Sequence, residues 1–309
     1  MTAMTIDFNT ASQRHRRELH VHCYRMLGNF EEAEDALQEA MLRGWRSRES
    51  VESDEGLRAW LYRIATNVCL DMLRARKRRL PSLHSFGEVP WLTPYPDRLL
   101  DEVAPSDEEP DAVVVARETI ELTFIALIQL LPPRQRAVLI LRDILEWSAA
   151  DTAEMLDLSV AAANSALQRA RATLRDELPA RPAAPAELTD DERRLLEGFI
   201  ATHESGDMAA AVELMREDIR VTMPPHPMCF DGLGSILPLF GQAQEMGEWK
   251  LVPTRVNRMP AAASYLRRPG KTEWIAFKLD VLRCEGGKIA EVTTFDHALF
   301  DEMGLPGTL

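Results

Sequence analysis

Five basic residues, Arg74, Arg76, Lys77, Arg78 and Arg79, lie within one six-residue stretch of the sequence. Cations near a helix C-terminus are favoured by the macrodipole, but one or two are enough for that effect. The whole chain of 309 residues carries a net charge of −13, so this cluster contrasts with an acidic background. We expect it to bind an external polyanion, and nucleic-acid phosphate is the simplest candidate.

The basic cluster closes a predicted helix over residues 57–79. Apolar residues recur in it at three- and four-residue steps, which places them along one helix face; they are Leu57, Trp60, Leu61, Ile64, Val68 and Met72. This face should pack in a core, while the basic end projects from it.

Upstream, residues 11–27 are predicted to form a helix that Gly28 ends, and Asn29 caps the next helix. The outward side of that second helix carries an acidic stripe with two apolar members. We call it the acidic stripe: Glu34, Asp35, Gln38, Glu39, Leu42 and Trp45. Such a stripe is usually a solvated face, but its exposed apolar members suggest that a partner helix docks there.

Cysteine and histidine positions indicate no metal site and no disulfide framework, because the four cysteines have no paired spacing. His20, His22 and Cys23 could hold a metal or belong to ordinary surface, and their spacing does not share one helix face, which favours surface. The sequence has neither an apolar signal segment nor a run of about 18 apolar residues. We therefore predict a cytoplasmic protein with no metal, no cofactor and no membrane contact.

The segments NFEEAEDALQEAMLRGWR and LRAWLYRIATNVCLDMLRARKRR resemble the second domain of extracytoplasmic-function (ECF) sigma factors, the promoter-recognition subunits of bacterial RNA polymerase. The resemblance implies that the acidic stripe docks on the coiled coil of the polymerase β′ subunit and that the basic helix end contacts the −10 promoter element. Extruding a base there costs a few kcal/mol, which a cationic channel and a base-binding pocket offset. The candidate contacts are Trp60, Asn67 and Asp71 together with the basic cluster, although the spacing of Trp60 favours a core aromatic.

Residues 81–112 change character abruptly, with six prolines and a strongly acidic balance. This composition predicts an extended linker. Its apolar island, Trp91, Leu92 and Tyr95, would have no use in a simple tether, so we expect it to dock on another part of the chain.

Helices resume after the linker and end in a helix-turn-helix pattern. Ser148 should cap a short helix, Asp157 and Leu158 should form the turn, and Ser159 should cap a second helix. In that second helix Val160, Ala163, Leu167, Ala170 and Leu174 are predicted to face inward. The outward DNA-reading candidates are Ser159, Ala161, Ala162, Asn164, Ser165, Gln168, Arg169 and Arg171, and Ala166 is also predicted to face outward.

By itself this pattern also fits an ordinary helical hairpin. Residues 131–178, however, resemble the fourth sigma domain, which reads the −35 element and contacts the polymerase β flap. Asn164 and Ala166 stand where many relatives carry basic residues, so the resemblance implies fewer phosphate contacts. Asp157 stands where a glycine usually makes the turn, and an Asp tolerates the left-handed conformation.

Beyond residue 186 the sequence predicts two helices followed by five strands, with a hairpin turn at Glu285-Gly286-Gly287-Lys288. This order resembles the cone-shaped α+β fold of SnoaL-like proteins, which ECF41-like groups and mycobacterial SigG- and SigJ-type sigma factors carry. The predicted fold is therefore two all-α domains and a C-terminal α+β domain, divided as 1–80, 81–112 (linker), 113–180 and 187–309.

The function predicted is promoter-directed transcription initiation with core RNA polymerase, tuned in cis by the C-terminal domain through an intramolecular contact. His226, Asp231, Asp296 and His297 are candidates to line an apolar pocket in that domain, where an unknown small ligand could bind. Because an Asp and a His in a dry pocket could act as acid and base, the alternative is a small-molecule-converting enzyme or ligand sensor fused to a DNA-binding module. We expect regulation rather than catalysis.

Overall fold

The computed structural model describes residues 8–51, 54–76, 89–101, 120–175 and 187–309. The chain divides into two compact units. The first combines Met1–Leu83 with Leu99–Pro182, and the second combines His84–Arg98 with Ala183–Leu309. Within the described ranges, every helix is too short or too polar to span a membrane. The first unit is helical and the second is mixed, which confirms the predicted fold class.

The first unit begins with four helices and a short 3-10 turn: α1 (Phe8–Gln13), α2 (Arg16–Leu27), α3 (Phe30–Arg46), the 3-10 turn Arg48–Ser50 and α4 (Asp54–Arg76). The helix predicted over residues 11–27 is therefore interrupted before Arg16. Gly28 ends α2 with a left-handed φ of 72°, as predicted. The Asn29 side chain caps α3 by accepting from the Glu32 amide at 3.0 Å.

Helix α2 is covered on every side, which corrects the surface interpretation of its histidines. His20 is 1% exposed, and both His22 and Cys23 are fully buried. His22 Nε2 lies 2.8 Å from the Thr66 hydroxyl on α4. Burial lowers the pKa of His22 to about 3 and that of His20 to about 4, because neither imidazolium would be solvated there.

The rest of the first unit contains α6 (Leu122–Ile128), α7 (Pro133–Leu139), a π-helical turn (Ile140–Ile144), α8 (Ala149–Met155) and α9 (Val160–Leu174). Pro133 occupies the first turn of α7, where its missing N–H costs no hydrogen bond. Ser148 accepts from the Asp151 amide at 3.1 Å and Ser159 from the Ala162 amide at 3.1 Å. Asp157 adopts φ 52° between α8 and α9, so the predicted left-handed turn is present.

The second unit contains α10 (Asp190–Ser205), α11 (Met208–Leu214), β1 (Met215–Met223), β2 (His226–Asp231), α12 (Leu233–Glu245), β3 (Glu248–Val256), β4 (Met259–Arg267), β5 (Ile275–Glu285), β6 (Lys288–Asp296), a 3-10 turn (His297–Leu299) and α13 (Phe300–Met303). Its strand order is β2-β1-β6-β5-β4-β3. The short helix α5 (Asp97–Asp101) follows the apolar island.

The sheet of this unit is mixed rather than antiparallel, because β1 pairs with β6 in parallel. The other strand pairs are antiparallel, and Glu285 pairs with Lys288 across the predicted glycine turn. One face of the sheet packs against α10 and α12 through a core that includes Leu195, Phe199, Phe240, Trp249 and Leu282. All four cysteines of the chain carry free thiols.

Candidate nucleic-acid interface

The basic end of α4 is exposed, and the two described members of the cluster contact carboxylates. Arg74 is 73% exposed and lies 2.9 Å from Asp71, which also accepts from Arg43 at 3.3 Å. Arg76 pairs with Glu32 and is 39% exposed. Lys77, Arg78 and Arg79 lie outside the described residues. The pair between Arg74 and Asp71 is exposed on both sides, and ion pairs of this kind contribute about 0–1 kcal/mol, so Arg74 can exchange this carboxylate for another anion at little cost.

Trp60 is half-buried rather than exposed on the surface. Its ring meets Phe8 edge-on, with centroids 6.2 Å apart. A Cβ added at Gly44 would meet the Phe8 ring at 3.1 Å and the Trp60 ring at 3.4 Å, so this glycine lets α3 approach both aromatics. Asn67 is half-buried on the same helix. The packing alternative for Trp60 therefore matches the structure.

Helix α9 presents the face predicted to read DNA, with two corrections. Val160 is 45% exposed and Ala166 only 6% exposed, the reverse of the prediction, because the buried stripe begins one turn later and includes residue 166. The predicted contacts that are exposed are Ser159, Ala161, Asn164, Ser165, Gln168, Arg169 and Arg171, while Ala162 is half-buried.

The borders of this face are set by ion pairs. Arg171 donates to both oxygens of Asp143, at 2.9 and 2.6 Å. These two hydrogen bonds hold the guanidinium beside the face that was predicted to read DNA, and they raise the pKa of Arg171. Arg63 on α4 reaches the turn residue Asp157 at 3.0 Å.

The acidic stripe forms the outward side of α3, opposite the buried residues Ala33, Ala36 and Leu37. All six of its members are exposed or half-buried. Leu42 is 42% and Trp45 47% exposed, and Arg48 lies 4.5 Å over the Trp45 ring. The stripe therefore combines acidic groups with two exposed apolar side chains.

A buried polar contact joins α2 to α6 and α7 within the first unit. The last carbonyls of a helix have no hydrogen-bond donor inside the helix. Those of α2 accept hydrogen bonds from side chains within residues 122–139 of the chain. Gln129 donates to the Arg25 carbonyl at 3.3 Å, and Arg136, which is 3% exposed, donates to the Met26 carbonyl. A Cβ added at Gly28 would meet the Gln129 side chain at 3.0 Å. Sequence reasoning did not identify this contact.

The apolar island docks on the hairpin between β3 and β4, within the second unit. Leu92 is 2% exposed, Tyr95 fully buried and Trp91 half-buried. The Tyr95 amide donates to the Asn257 side chain at 2.6 Å, and the Asn257 amide donates to the Tyr95 carbonyl at 2.9 Å. These two reciprocal hydrogen bonds fix the island beside the hairpin, much as hydrogen bonds join neighbouring strands of a sheet.

Asp97 adds a buried charge to this contact and was also missed by sequence reasoning. Its carboxylate accepts from the Arg258 amide at 2.8 Å and lies 3.1 Å from Arg255 and 3.4 Å from the Arg258 guanidinium. Asn257 and Arg258 have φ 52° and 60°, the left-handed conformation of a two-residue hairpin. That turn directs both backbone amides toward the island. We call this set of contacts, from Tyr95 and Asp97 to the hairpin, the island clamp.

The four predicted pocket residues do not form one site. His226, Asp296 and His297 line a cavity together, whereas Asp231 lies in a separate groove and pairs with Arg220. Asp296 and His297 are 56% and 54% exposed, so these two side chains do not supply the dry acid–base pair that the enzyme alternative requires. The Asp296 carboxylate accepts from the Ala298 amide at 2.8 Å, so it caps the short turn that follows β6.

The helical part of the chain matches two protein-family models. Residues 12–79 match Sigma-70 region 2, and residues 122–174 match Sigma-70, region 4. We refer below to these two parts as region 2 and region 4.

The chain is also similar to named relatives and to a solved structure. The chain is 38% identical over 324 residues to the ECF RNA polymerase sigma factor SigG of Mycobacterium tuberculosis, across 98% of this chain and 85% of that protein. It is 36% identical over 159 residues to SigW of Bacillus subtilis, across 50% of this chain and 80% of that protein. The crystal structure of the M. tuberculosis ECF sigma factor SigJ shares its fold, with a TM-score of 0.62 at 21% identity, covering 91% and 93% of the two chains.

Proposed function

Because the chain belongs to the ECF RNA polymerase sigma factors, we propose that its helical regions divide promoter and polymerase binding between them and that its C-terminal domain regulates them in cis. As a sigma factor it binds core RNA polymerase and promoter DNA and initiates transcription. The proposal concerns which surfaces of this chain do so. It also places the chain in the cytoplasm, with the polymerase, and assigns it no enzymatic reaction.

The observation that carries the promoter assignment is the exposed face of α9. The helix follows α8 after a tight turn and shows small and polar side chains outward, as a recognition helix must in order to approach base edges in the major groove. Asn164, Gln168 and Arg169 are long enough to reach bases or phosphates, and Ala161 allows close approach. We assign this face to the −35 element and the basic end of α4, with Asn67 and Asp71, to the −10 element.

The acidic stripe on α3 is the proposed polymerase contact. Its exposed Leu42 and Trp45 supply an apolar centre, and Asp35, Gln38 and Glu39 supply a polar rim, the composition expected of a docking surface. We assign this surface to the coiled coil of the polymerase β′ subunit, as the resemblance to sigma factors implies. The β flap is the proposed partner of region 4.

Region 2 and region 4 contact each other directly, which bears on when the chain can bind a promoter. The −10 and −35 elements lie about 25 base pairs apart, or about 85 Å along B-DNA. The bonds from Gln129 and Arg136 to the end of α2 cannot persist when both elements are occupied. The described arrangement is therefore a closed state that must open on polymerase.

The island clamp is the proposed route of regulation by the C-terminal domain. The island lies in the segment that joins region 2 to region 4, and the clamp fixes it to the β3–β4 hairpin through Asp97 and Tyr95. A segment that is fixed in this way restricts the separation of the two regions. Releasing the clamp should make opening easier and raise transcription.

Run-off transcription with purified core polymerase tests this assignment. Asp97→Asn removes the buried charge but keeps the shape of the side chain, and it leaves Arg255 and Arg258 without their carboxylate. Glu245→Gln, the same chemical change at an exposed position of α12, is the matched control. We expect more transcript from Asp97→Asn than from the wild type and no change in the control. Equal amounts of transcript from Asp97→Asn and the wild type would contradict the regulatory role proposed for the island clamp.

A further inference from the structure

The C-terminal domain contains a cavity of about 760 Å³ at the end of its sheet. This volume lies within the range of small-molecule sites, which are about 300–1,000 Å³. Most of its wall is apolar and comes from the ends of β1, β4, β5 and β6; Met223, Leu266, Ala276, Phe277 and Phe295 are examples. Such a wall suits the apolar body of a small molecule.

Polar and charged side chains also line the cavity, among them Arg268, Lys271 and Asp296, and one of them, Lys278, pairs with a fully buried carboxylate. Lys278 lines the cavity, and its side chain is 19% exposed. Its ammonium group lies 3.1 Å and 2.8 Å from the two oxygens of Asp280 and 5.8 Å from the centre of the Trp249 ring. An ammonium group has three N–H donors, and the Asp280 carboxylate takes at most two of them. A donor therefore remains for an acceptor in the cavity.

The position of Lys278 is fixed from behind by a buried network. Asp280 is fully buried and accepts from Thr294 at 2.7 Å and from Ser264 at 3.2 Å. Burial raises the pKa of Asp280, but Lys278 and the hydrogen bonds outweigh it and leave that pKa below its ordinary value. The carboxylate thus stays charged and holds the ammonium in place.

His203 on α10 lies close enough to this pair for the charges of Lys278 and Asp280 to act on its pKa, although it does not line the cavity itself. It is 7% exposed, it packs between Phe199 and Phe240, and its Nδ1 has no hydrogen-bond partner among the described residues. Buried polar atoms without partners are uncommon. The apolar wall, the oriented ammonium and this imidazole lie in one domain and do not take part in the island clamp or in the proposed DNA and polymerase surfaces.

We propose that the cavity binds a small apolar molecule that carries one hydrogen-bond acceptor, a carbonyl or carboxylate oxygen, directed at Nζ of Lys278. The apolar body lies against Leu266, Phe277 and Phe295, and the acceptor end points toward the Lys278–Asp280 pair. This site is independent of the sigma-factor assignment, since its occupancy is measured by binding alone.

Fluorescence titration of the full chain with three naphthalene probes tests the site. Prodan carries a neutral ketone, 1-anilinonaphthalene-8-sulfonate an anionic head, and N-phenyl-1-naphthylamine no oxygen acceptor. We expect prodan to saturate at one molecule per chain. Lys278→Met should weaken prodan about tenfold or more, the loss expected for one hydrogen bond to a charged group, and change N-phenyl-1-naphthylamine less than about twofold. Lys250→Met, an exposed lysine on β3, should change neither.

A second variant guards against misfolding, because Lys278→Met leaves a buried carboxylate without its cation. The double substitution Lys278→Met with Asp280→Asn is neutral and should show the same selective loss of prodan. Tighter binding of the sulfonate than of prodan assigns an anionic ligand, and the reverse assigns a neutral carbonyl. Prodan affinity that survives both variants, or no saturable prodan binding to the wild type, overturns the proposal.

Discussion

Arg136 in region 4 donates a hydrogen bond to the main-chain carbonyl of Met26 in region 2, and both residues are buried. The same guanidinium donates to the Gln129 carbonyl at 2.9 Å and to the Leu131 carbonyl at 3.2 Å. One side chain of region 4 therefore donates hydrogen bonds both to the last turn of a region 2 helix and to the turn between α6 and α7. Arg136 thereby contributes to the contact between region 2 and region 4.

Arg136→Met should destabilise the helical unit, since it keeps the apolar stem but leaves buried carbonyls without donors. Three main-chain carbonyls lose this donor, at about 1–3 kcal/mol each, so we expect the midpoint of thermal unfolding to fall on the order of 10 °C. Differential scanning calorimetry of the full chain measures this. Arg134→Met, an exposed arginine of the same helix, is the control, and equal midpoints for the two variants would contradict the role given to Arg136.

Promoter binding should become less sensitive to salt when the basic end of α4 is neutralised. Arg74→Ala with Arg76→Ala should lower the slope of log affinity against log salt by up to about 1.8, since each phosphate that an arginine neutralises contributes about 0.9 to that slope. The measurement is promoter binding by the reconstituted holoenzyme across a salt series. Arg193→Ala, on the exposed side of α10, should leave the slope unchanged. A slope that does not change in the double variant would refute the −10 assignment.

Core polymerase should bind far more weakly when the apolar centre of the acidic stripe is removed. Leu42→Ala with Trp45→Ala takes away the two exposed apolar side chains without touching the buried face of α3. A tryptophan anchor at the centre of an interface contributes about 2 kcal/mol or more, so the loss of Trp45 alone should raise the dissociation constant at least about tenfold. Met208→Ala, which removes an exposed apolar side chain from the C-terminal domain, is the control. Comparable affinities for all three proteins would argue that polymerase docks elsewhere.

Stability should decrease as the pH falls from about 6.5, because several histidines are buried in neutral form. The pKa of His203 is lowered to about 3, mainly by burial, while the unfolded chain titrates near 6.5. Between these values the unfolded state binds one more proton, so stability is lost toward acid at up to about 1.4 kcal/mol per pH unit for each such group. His203→Gln should reduce the loss of urea resistance between pH 7 and pH 5, and His297→Gln, at an exposed position, should not. An identical loss in wild type and His203→Gln would contradict this account.

Helix caps and tight turns were the features of the fold that the sequence predicted best. Asn29, Ser148 and Ser159 each cap a helix as their residue types predict, because a cap depends only on residues within one turn. The glycine turn after Glu285 was predictable for the same reason. Periodicity analysis assumes that a helix has one buried face and one solvent face. Helix α2 has no solvent face, so the spacing of its apolar residues could not show that His20 and His22 are buried.

Two elements of the C-terminal domain were missed because their sequences contain residues that usually interrupt structure. Strand β2 includes Pro227 and follows Pro224 and Pro225, and α12 contains Pro238 and two glycines. Pairing with β1 and packing on the sheet outweigh these local preferences. The long-range contacts of Arg136, Asp97 and Lys278 have no local signature, since their partners lie far away in the sequence or depend on the register of the sheet.

Run-off transcription with core RNA polymerase tests the central claim most directly. The full chain, mixed with core polymerase and a library of promoter sequences, should yield transcripts from a restricted set of promoters. The acidic-stripe variant with Leu42→Ala and Trp45→Ala should yield almost none. The account would be contradicted if neither the full chain nor a variant truncated after Ala180 directed core polymerase to any promoter.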